Sequence, residues 1–374
     1  MPQLEEISAQ LDRLARLEPS PFPIISLYLN LQADQHGRDR FEPFLRKELG
    51  ERLRTYDVEG PPGAGLSNGS QRESLERDAE KILAYLSGVE PSANGVALFA
   101  SSGSDLFEAL QLAAPIPEHR LYVSSQPHLY PLARLFDEYP RYAVLLTDTN
   151  AARIFVIAAN AVERREQVEG MKTRRHKMGG WSQARYQRHN ENVHLHHVKE
   201  VVDALARIVR NEGIESIIVS GDEVVVPMVK DHLPKDIAER VVDTISLNIH
   251  AAERAVLEAT IASIRETDRL TDRERVDALL DDYRANGLAV VGLDATRRAL
   301  DLGQVDELVI AAAPDTIATT APAQDGPGER TAEEQVADEL VAKARNTSAR
   351  VRFIEDVSVA KSIGGVGAHL RFKM

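Results

Sequence analysis

Apolar residues recur along this chain at two spacings, three-to-four and two, and their alternation lays out three blocks. In the first, Leu4, Ile7, Leu11, Leu14 and Leu17 share one face of a helix that Pro19, Pro21 and Pro23 terminate. Ile24 to Leu31 (IISLYLNL) is a β-prone apolar run, read as a buried strand. Phe41 to Tyr56 returns to helical spacing through Phe44, Leu45, Leu49 and Leu53. Gly60 to Ser70 is turn-rich, and a third helix covers residues 71–86. Strands are expected at Gly95–Phe99, Leu106–Leu112 and His119–Val123, then a short helix from Pro127 to Tyr139.

The second block opens with two strands, Ala143–Asp148 and Arg153–Ala158, around a hairpin-like turn at Thr149-Asn150. A long helix is expected from about Ser182 to Arg210. Leu195, Val198, Val202, Leu205, Ile208 and Val209 form its apolar side, and Gly213 stops it. A strand (Ile217–Ser220), a helix (Val224–Leu233) and a strand within Arg240–Leu247 follow, an alternation that suggests a mixed or parallel sheet. Residues 251–285 read as helix, broken near Asp268 to Thr271. In the third block Gly287–Val291 leads into a short helix at Asp294–Leu302, strands are expected at Glu307–Ala312, Arg350–Glu355 and Ala368–Phe372, and a helix at Glu333–Arg345. Thr319 to Thr331 is Pro/Gly-rich and polar, and reads as a mobile insertion.

Composition narrows the picture. A length of 374 residues with 43% hydrophobic content predicts two or three ordinary globular domains. Without cysteine there is no disulfide framework, thiol nucleophile or Cys-type zinc site, which suits the cytosol. The N-terminus lacks a signal-peptide pattern, and no apolar run is long enough to span a membrane. A net charge of -13 argues against general nucleic-acid affinity, so any RNA contact must be local.

One stretch reverses that charge. From Met171 to Asn190 there is no acidic residue, and Lys172, Arg174, Arg175, Lys177, Arg185 and Arg188 flank Gly179-Gly180, followed by Trp181, Ser182 and Gln183. Paired glycines free the backbone and remove side chains from a tip. Cations attract phosphates, and a glutamine amide can position a water or stabilise an oxyanion. Two readings stay open: a solvated basic loop, or a finger that enters an RNA-lined site to hydrolyse an ester. His189, His194, His196 and His197 invite a metal, but no HExxH or comparable ligand set accompanies them, so no metal is expected. Gly364-Gly365-Val366-Gly367 precedes a strand, not a helix, so no nucleotide or other cofactor is expected either.

From Gly179 the chain reads GGWSQARYQRHNENVHLHHVKEVVD. This resembles the central motif of the archaeal and eukaryotic class-one peptide release factor family and its bacterial branch, roughly GGQSAxRFxRLRxxxxHxxVxxVAE. Gly179, Gly180, Ser182, Arg185, Arg188, Val198 and Val201 fall on matching positions, and Tyr186 stands for the aromatic. Pro23–Leu31, Asn94–Phe99, Tyr142–Ile157, Val291–Ile310 and Ile363–Phe372 (IGGVGAHLRF) resemble further family segments.

The resemblance implies an α/β fold with mixed sheets in a three-domain, tRNA-shaped architecture. Residues 1–140 would be a degenerate decoding domain, 141–268 a middle domain with the Gly-Gly finger, and 269–374 a ribosomal-protein-like α/β sandwich. The implied partners are the ribosome, through rRNA and peptidyl-tRNA, and a translational GTPase at the C-terminal domain. Gly179, Gly180 and Gln183 would be catalytic. Lys172, Arg174, Arg175, Lys177, Trp181, Arg185 and Arg188 would contact RNA.

Two departures limit it. The family's Gln directly follows the glycines, where this chain has Trp181; Gln183 comes two residues later, roughly 200° around a helix. The stop-codon motifs are missing, including the one that requires cysteine. The expected function is therefore codon-independent peptidyl-tRNA hydrolysis in ribosome rescue or quality control. The alternatives are a non-catalytic ribosome-binding factor of stress or hibernation, and an adaptor that keeps the fold alone.

Overall fold

Three sheets form where the period-two runs stand, and helices cover them where the period is three to four. The computed structural model describes residues 4–32, 41–59, 68–90, 92–169, 183–323, 325 and 329–373. The first segment contains α1 (Leu4–Ala15), β1 (Ile24–Asn30), α2 (Phe41–Glu59), α3 (Asn68–Leu86), β2 (Gly95–Ser101), β3 (Leu106–Leu112), β4 (Arg120–Ser124) and α4 (Tyr130–Glu138). Its sheet is wholly antiparallel, in the order β3-β2-β1-β4. Alternation along β1 gives that strand two different faces. Ile25, Leu27 and Leu29 enter an apolar core with Leu45 and Leu49 of α2 and Leu75 and Ile82 of α3. Ser26 and Tyr28 are equally buried on the opposite face, where Tyr28 meets Phe99 edge-on at 6.0 Å.

The second segment runs through β5 (Tyr142–Thr147), β6 (Ala151–Ala158), β7 (Ala161–Glu169), α5 (Gln183–Asn211), β8 (Ser216–Gly221), α6 (Val225–His232), α7 (Lys235–Ala238), β9 (Val241–Ile245) and α8 (Glu253–Arg284). The sheet order is β7-β6-β5-β8-β9; β5, β8 and β9 are parallel, and β6 and β7 antiparallel, so the sheet is mixed. Every residue of β5 is buried, because both its faces are covered. Ala143 and Leu145 pack with Val198, Val201, Leu205 and Ile208 of α5. Tyr142, Val144 and Leu146 pack with Val256 and Ile264 of α8.

Two expectations give way here. Helix α8 continues through Asp268–Thr271 without the predicted break: these residues include no proline or glycine, so no hydrogen bond of the helix is lost. Strand β7, absent from the sequence reading, follows a turn in which Ala159 and Asn160 both take positive φ (46° and 64°), a conformation that joins twisted strands tightly.

The third segment comprises β10 (Ala289–Val291), α9 (Leu293–Asp301), β11 (Val305–Ala311), α10 (Ala332–Asn346), β12 (Arg350–Ile354), α11 (Val357–Lys361) and β13 (Val366–Leu370). Its sheet, β10-β13-β11-β12, is again mixed, with β11 and β12 parallel. Val309 and Ala311 of β11 pack with Val276 and Leu279 of α8 and with Val359 and Ala360 of α11. The buried Leu308 and Ile310 point the other way, where α9 and α10 lie against the sheet. Gly365 is required as glycine: its φ is +82°, and a Cβ there would stand 2.6 Å from the Thr316 carbonyl oxygen. Helix α10 starts at a capping box, with Thr331 accepting from the Glu334 amide and the Glu334 carboxylate accepting from the Thr331 amide.

The expectation of a mobile insertion at 319–331 is corrected by its described end, where Arg330 is buried and held between Asp325 and Asp338 at 2.7 Å each. Packing divides the chain into two compact units, one of residues 139–268 and one that joins residues 1–138 with 269–374.

Candidate functional site

The candidate site is the basic Gly-Gly stretch between β7 and α5. Lys172, Arg174, Arg175, Lys177, Gly179, Gly180 and Trp181 lie outside the described residues. Gln183, Arg185 and Arg188 occupy the first turns of α5, and their side chains likewise lie outside the described residues. The structure gives the frame from which this stretch departs.

On the entry side, β7 ends with Glu169 paired opposite Ala151, and Val168 tucks against the apolar core beneath α5. On the exit side, the His194 ring donates from Nδ1 to the Thr149 carbonyl oxygen at 3.2 Å, tying α5 to the β5–β6 turn. That turn is stiffened by Asp148, whose Oδ1 accepts from the amides of Asn150 and Ala151 at 2.7 Å each. Gly221 closes the same end of the sheet. Its φ is +145°, and a Cβ would fall 1.8 Å from the Thr147 carbonyl oxygen, so no other residue fits where β8 crosses β5. Entry strand, exit helix and turn thus converge at the carboxyl ends of the parallel strands β5 and β8, the usual place for ligand sites in open α/β sheets.

Charged pairs link β7 to α5 and its flank. Arg141 reaches Glu163 (3.0 Å) and Glu212 (2.9 Å), Arg164 reaches Glu212 and Glu166, and Arg207 of α5 also grips Glu166. Because β7 is the sheet edge, this lattice also discourages pairing with another chain. Sequence reasoning missed these residues. Their signal was the alternation Val162, Arg164, Glu166, Val168 against Glu163, Arg165, Gln167, Glu169, weak because neither face is apolar throughout.

The histidines serve separate ends. His194 holds the turn, His196 lies 3.4 Å from Glu200, and His197 is buried with neither ring nitrogen partnered. Among the described residues no three His, Cys, Asp or Glu side chains are placed to hold a metal. No helix among them is long and apolar enough to cross a membrane.

Residues 127–265, which contain this frame, match the model of bacterial archaeo-eukaryotic release factor family 10, and residues 270–374 match the third domain of eRF1. Both matches support the archaeal and eukaryotic release-factor family and a bacterial branch of it. The chain is similar to peptide chain release factor subunit 1 of Pyrococcus abyssi (22% identity, covering 100% of this chain and 99% of that protein). It is also similar to the same subunit of Archaeoglobus fulgidus (20%, 98% and 97%). Among solved structures it is similar to an archaeal translation termination factor, aRF1 (16% identity, 98% of each chain, TM-score 0.27). A further likeness is to a chain in a model of ribosome-bound archaeal Pelota and ABCE1 (14%, 98% and 94%, TM-score 0.40). In this chain Trp181 stands directly after the glycine pair.

Proposed function

We propose that this protein enters the ribosomal A site and hydrolyses the ester of peptidyl-tRNA without reading a codon, as a rescue or quality-control factor. The observation that carries this reading is the anchored frame: Glu169 and α5, fixed to one end of a rigid sheet, flank a basic Gly-Gly stretch inside the region that matches a release-factor family. In this reading Gly179 and Gly180 admit the backbone to the peptidyl-transferase centre, and Gln183 orients the attacking water. Lys172, Arg174, Arg175, Lys177, Arg185 and Arg188 hold RNA phosphates. Water attacks the ester carbonyl carbon and the acyl–oxygen bond breaks; the peptide leaves as a carboxylic acid and the tRNA regains its terminal hydroxyl. The three-part division at 140/141 and 268/269, a cytoplasmic location and a translational GTPase bound to residues 269–374 belong to the same proposal.

Trp181 favours a second reading. Its indole can stack on an rRNA base or a tRNA end, where it would occupy the site without chemistry, as a stress or hibernation factor would. Stalled ribosomes carrying labelled peptidyl-tRNA separate the two. The hydrolytic reading expects peptide release that falls at least a hundredfold in Gln183→Ala, with co-sedimentation unchanged. Co-sedimentation without release supports the second reading, and absence from ribosome fractions at low salt defeats both.

A further inference from the structure

Helix α5 is held to its sheet unevenly. Among the described residues its apolar packing begins at Val198 and continues through Val201, Val202, Leu205, Ile208 and Val209. Its charged ties lie in the same half: Arg207 grips Glu166 of β7, and Arg210 reaches both oxygens of Asp236 in α7 at 2.9 Å. The helix nonetheless starts at Gln183, so about 22 Å of it, at ~1.5 Å per residue, precede Val198. In that half, the side-chain bond that reaches the sheet among the described residues runs from His194 Nδ1 to the Thr149 carbonyl oxygen at 3.2 Å. The neighbouring histidines do not share this role. His196 has a side chain 70% exposed beside Glu200, and His197 has no partner for either ring nitrogen.

The acceptor is fixed before the histidine meets it. The Asp148 amide donates to the Ala151 carbonyl at 2.9 Å and closes the turn, and Asp148 Oδ1 takes the amides of Asn150 and Ala151. Asn150 Nδ2 donates to Thr149 Oγ1 at 2.9 Å. At the root of the turn, the Thr147 carbonyl accepts from the Asp222 amide at 3.1 Å, which ties it to the chain leaving β8. A stiff turn and a short, ring-ended side chain lose little freedom in meeting, so this bond fixes position well for its strength.

We propose that His194 is a positioning residue for the hydrolysis proposed above, a reading on which this inference rests. Its bond to Thr149 sets the direction in which the first half of α5, headed by Gln183, leaves the sheet. Gln183 stands about 16 Å along the helix from His194, so a tilt of about 4° at the base moves it by about 1 Å. A misplacement of that size costs on the order of a hundredfold in rate. Attachment to RNA is spread over many cations and tolerates such a tilt, whereas the alignment of one amide with the attacking water does not. His194 therefore acts on the rate of the chemical step and leaves ribosome binding almost untouched.

Asparagine separates the bond from the ring. Its Nδ2 hangs from Cγ as the Nδ1 of histidine does, so His194→Asn still donates to Thr149, whereas His194→Ala does not. Single-turnover release of labelled peptide from stalled ribosomes is read against the concentration of the full-length protein. We expect His194→Ala to lower the saturated rate by about ten- to a hundredfold with half-saturation shifted by less than about twofold, and His194→Asn to restore the rate to within about threefold. Hydrogen exchange needs no ribosome: in His194→Ala the amides of residues 187–193 exchange at least about tenfold faster, while those of 201–209 keep their protection. A merely structural loss speeds both regions and weakens release and binding together, and that result overturns the positioning role. Unchanged exchange at 187–193, or release from His194→Ala as fast as from the wild type, overturns it as well. A wild type that binds ribosomes but releases no peptide defeats the hydrolytic reading itself, and this role with it.

Discussion

The protein contains two charge lattices of similar chemistry and different setting. On β7 and α5, Arg141, Arg164 and Arg207 interleave with Glu163, Glu166 and Glu212 in a half-buried setting, where Arg207 is 52% and Glu212 16% exposed. Around Asp338, the partners Arg330 and His128 are 5% and 1% exposed. Water still reaches the first lattice, most of all at Arg207 and Arg164, so its outer pairs add little and guard an edge strand. The second has given up its water, so every member depends on the others, and the loss of one leaves a bare charge in a dry place. Equal counts of ion pairs thus say nothing about equal importance; burial decides.

The sharpest way to break this contrast is Asp338→Ala. It takes one of two carboxylates from the buried Arg330, leaving it only Asp325, and leaves the His128 ring and the Tyr130 amide without their acceptor. We expect a loss of about 3–5 kcal/mol, read as reduced hydrogen-exchange protection in β1 and α10, while the β5 and β8 amides of the other unit keep theirs. A loss below about 1 kcal/mol would show that the buried cluster is no more valuable than a surface lattice.

A finer test turns on pH. Burial raises the Glu329 carboxyl, next to Arg330, to about 7, so its contribution to stability is fully present below the ordinary carboxylate range and fades as pH climbs through 7. The wild-type protein should lose up to about 1.4 kcal/mol per pH unit from this group within that window, and Glu329→Gln should flatten the slope. Urea titrations at pH 5, 6 and 7 measure it. An identical slope in both proteins would remove Glu329 from the account.

The two settings were unequally visible in the sequence. The apolar periodicity of Ile24–Leu31, of Ala143–Asp148 and of the α5 stripe Val198, Val202, Leu205 corresponds to real elements, because burial of these side chains is what makes the elements form. Strand β7 escaped because its residues are held by cross-strand and helix-borne charges, which leave no apolar alternation. The buried Asp338 cluster escaped for another reason. Arg330 stands in a Pro/Gly-rich polar stretch that looks like exposed chain, and its partner His128 is a lone histidine in a distant segment. Long-range pairing of charges has no period to detect. As for the candidate site, the basic Gly-Gly stretch stood out through charge alone, whereas the fastening of its base by His194 and Thr149 depends on how α5 folds back over the β5–β6 turn.

The smallest expected effect completes the comparison. Arg207→Ala removes one cation from the β7–α5 lattice, but Glu166 keeps its partner Arg164 at 3.1 Å and stays in partial contact with water. The cost should stay under about 1 kcal/mol by urea denaturation and shrink further in high salt. The sheet should hold its register, since Val168 still packs in the core and Glu169 still pairs with Ala151. A cost of several kcal/mol would mean that the β7–α5 lattice is a structural brace for the frame around the Gly-Gly stretch. The rule that burial separates the two lattices would then fail for this molecule.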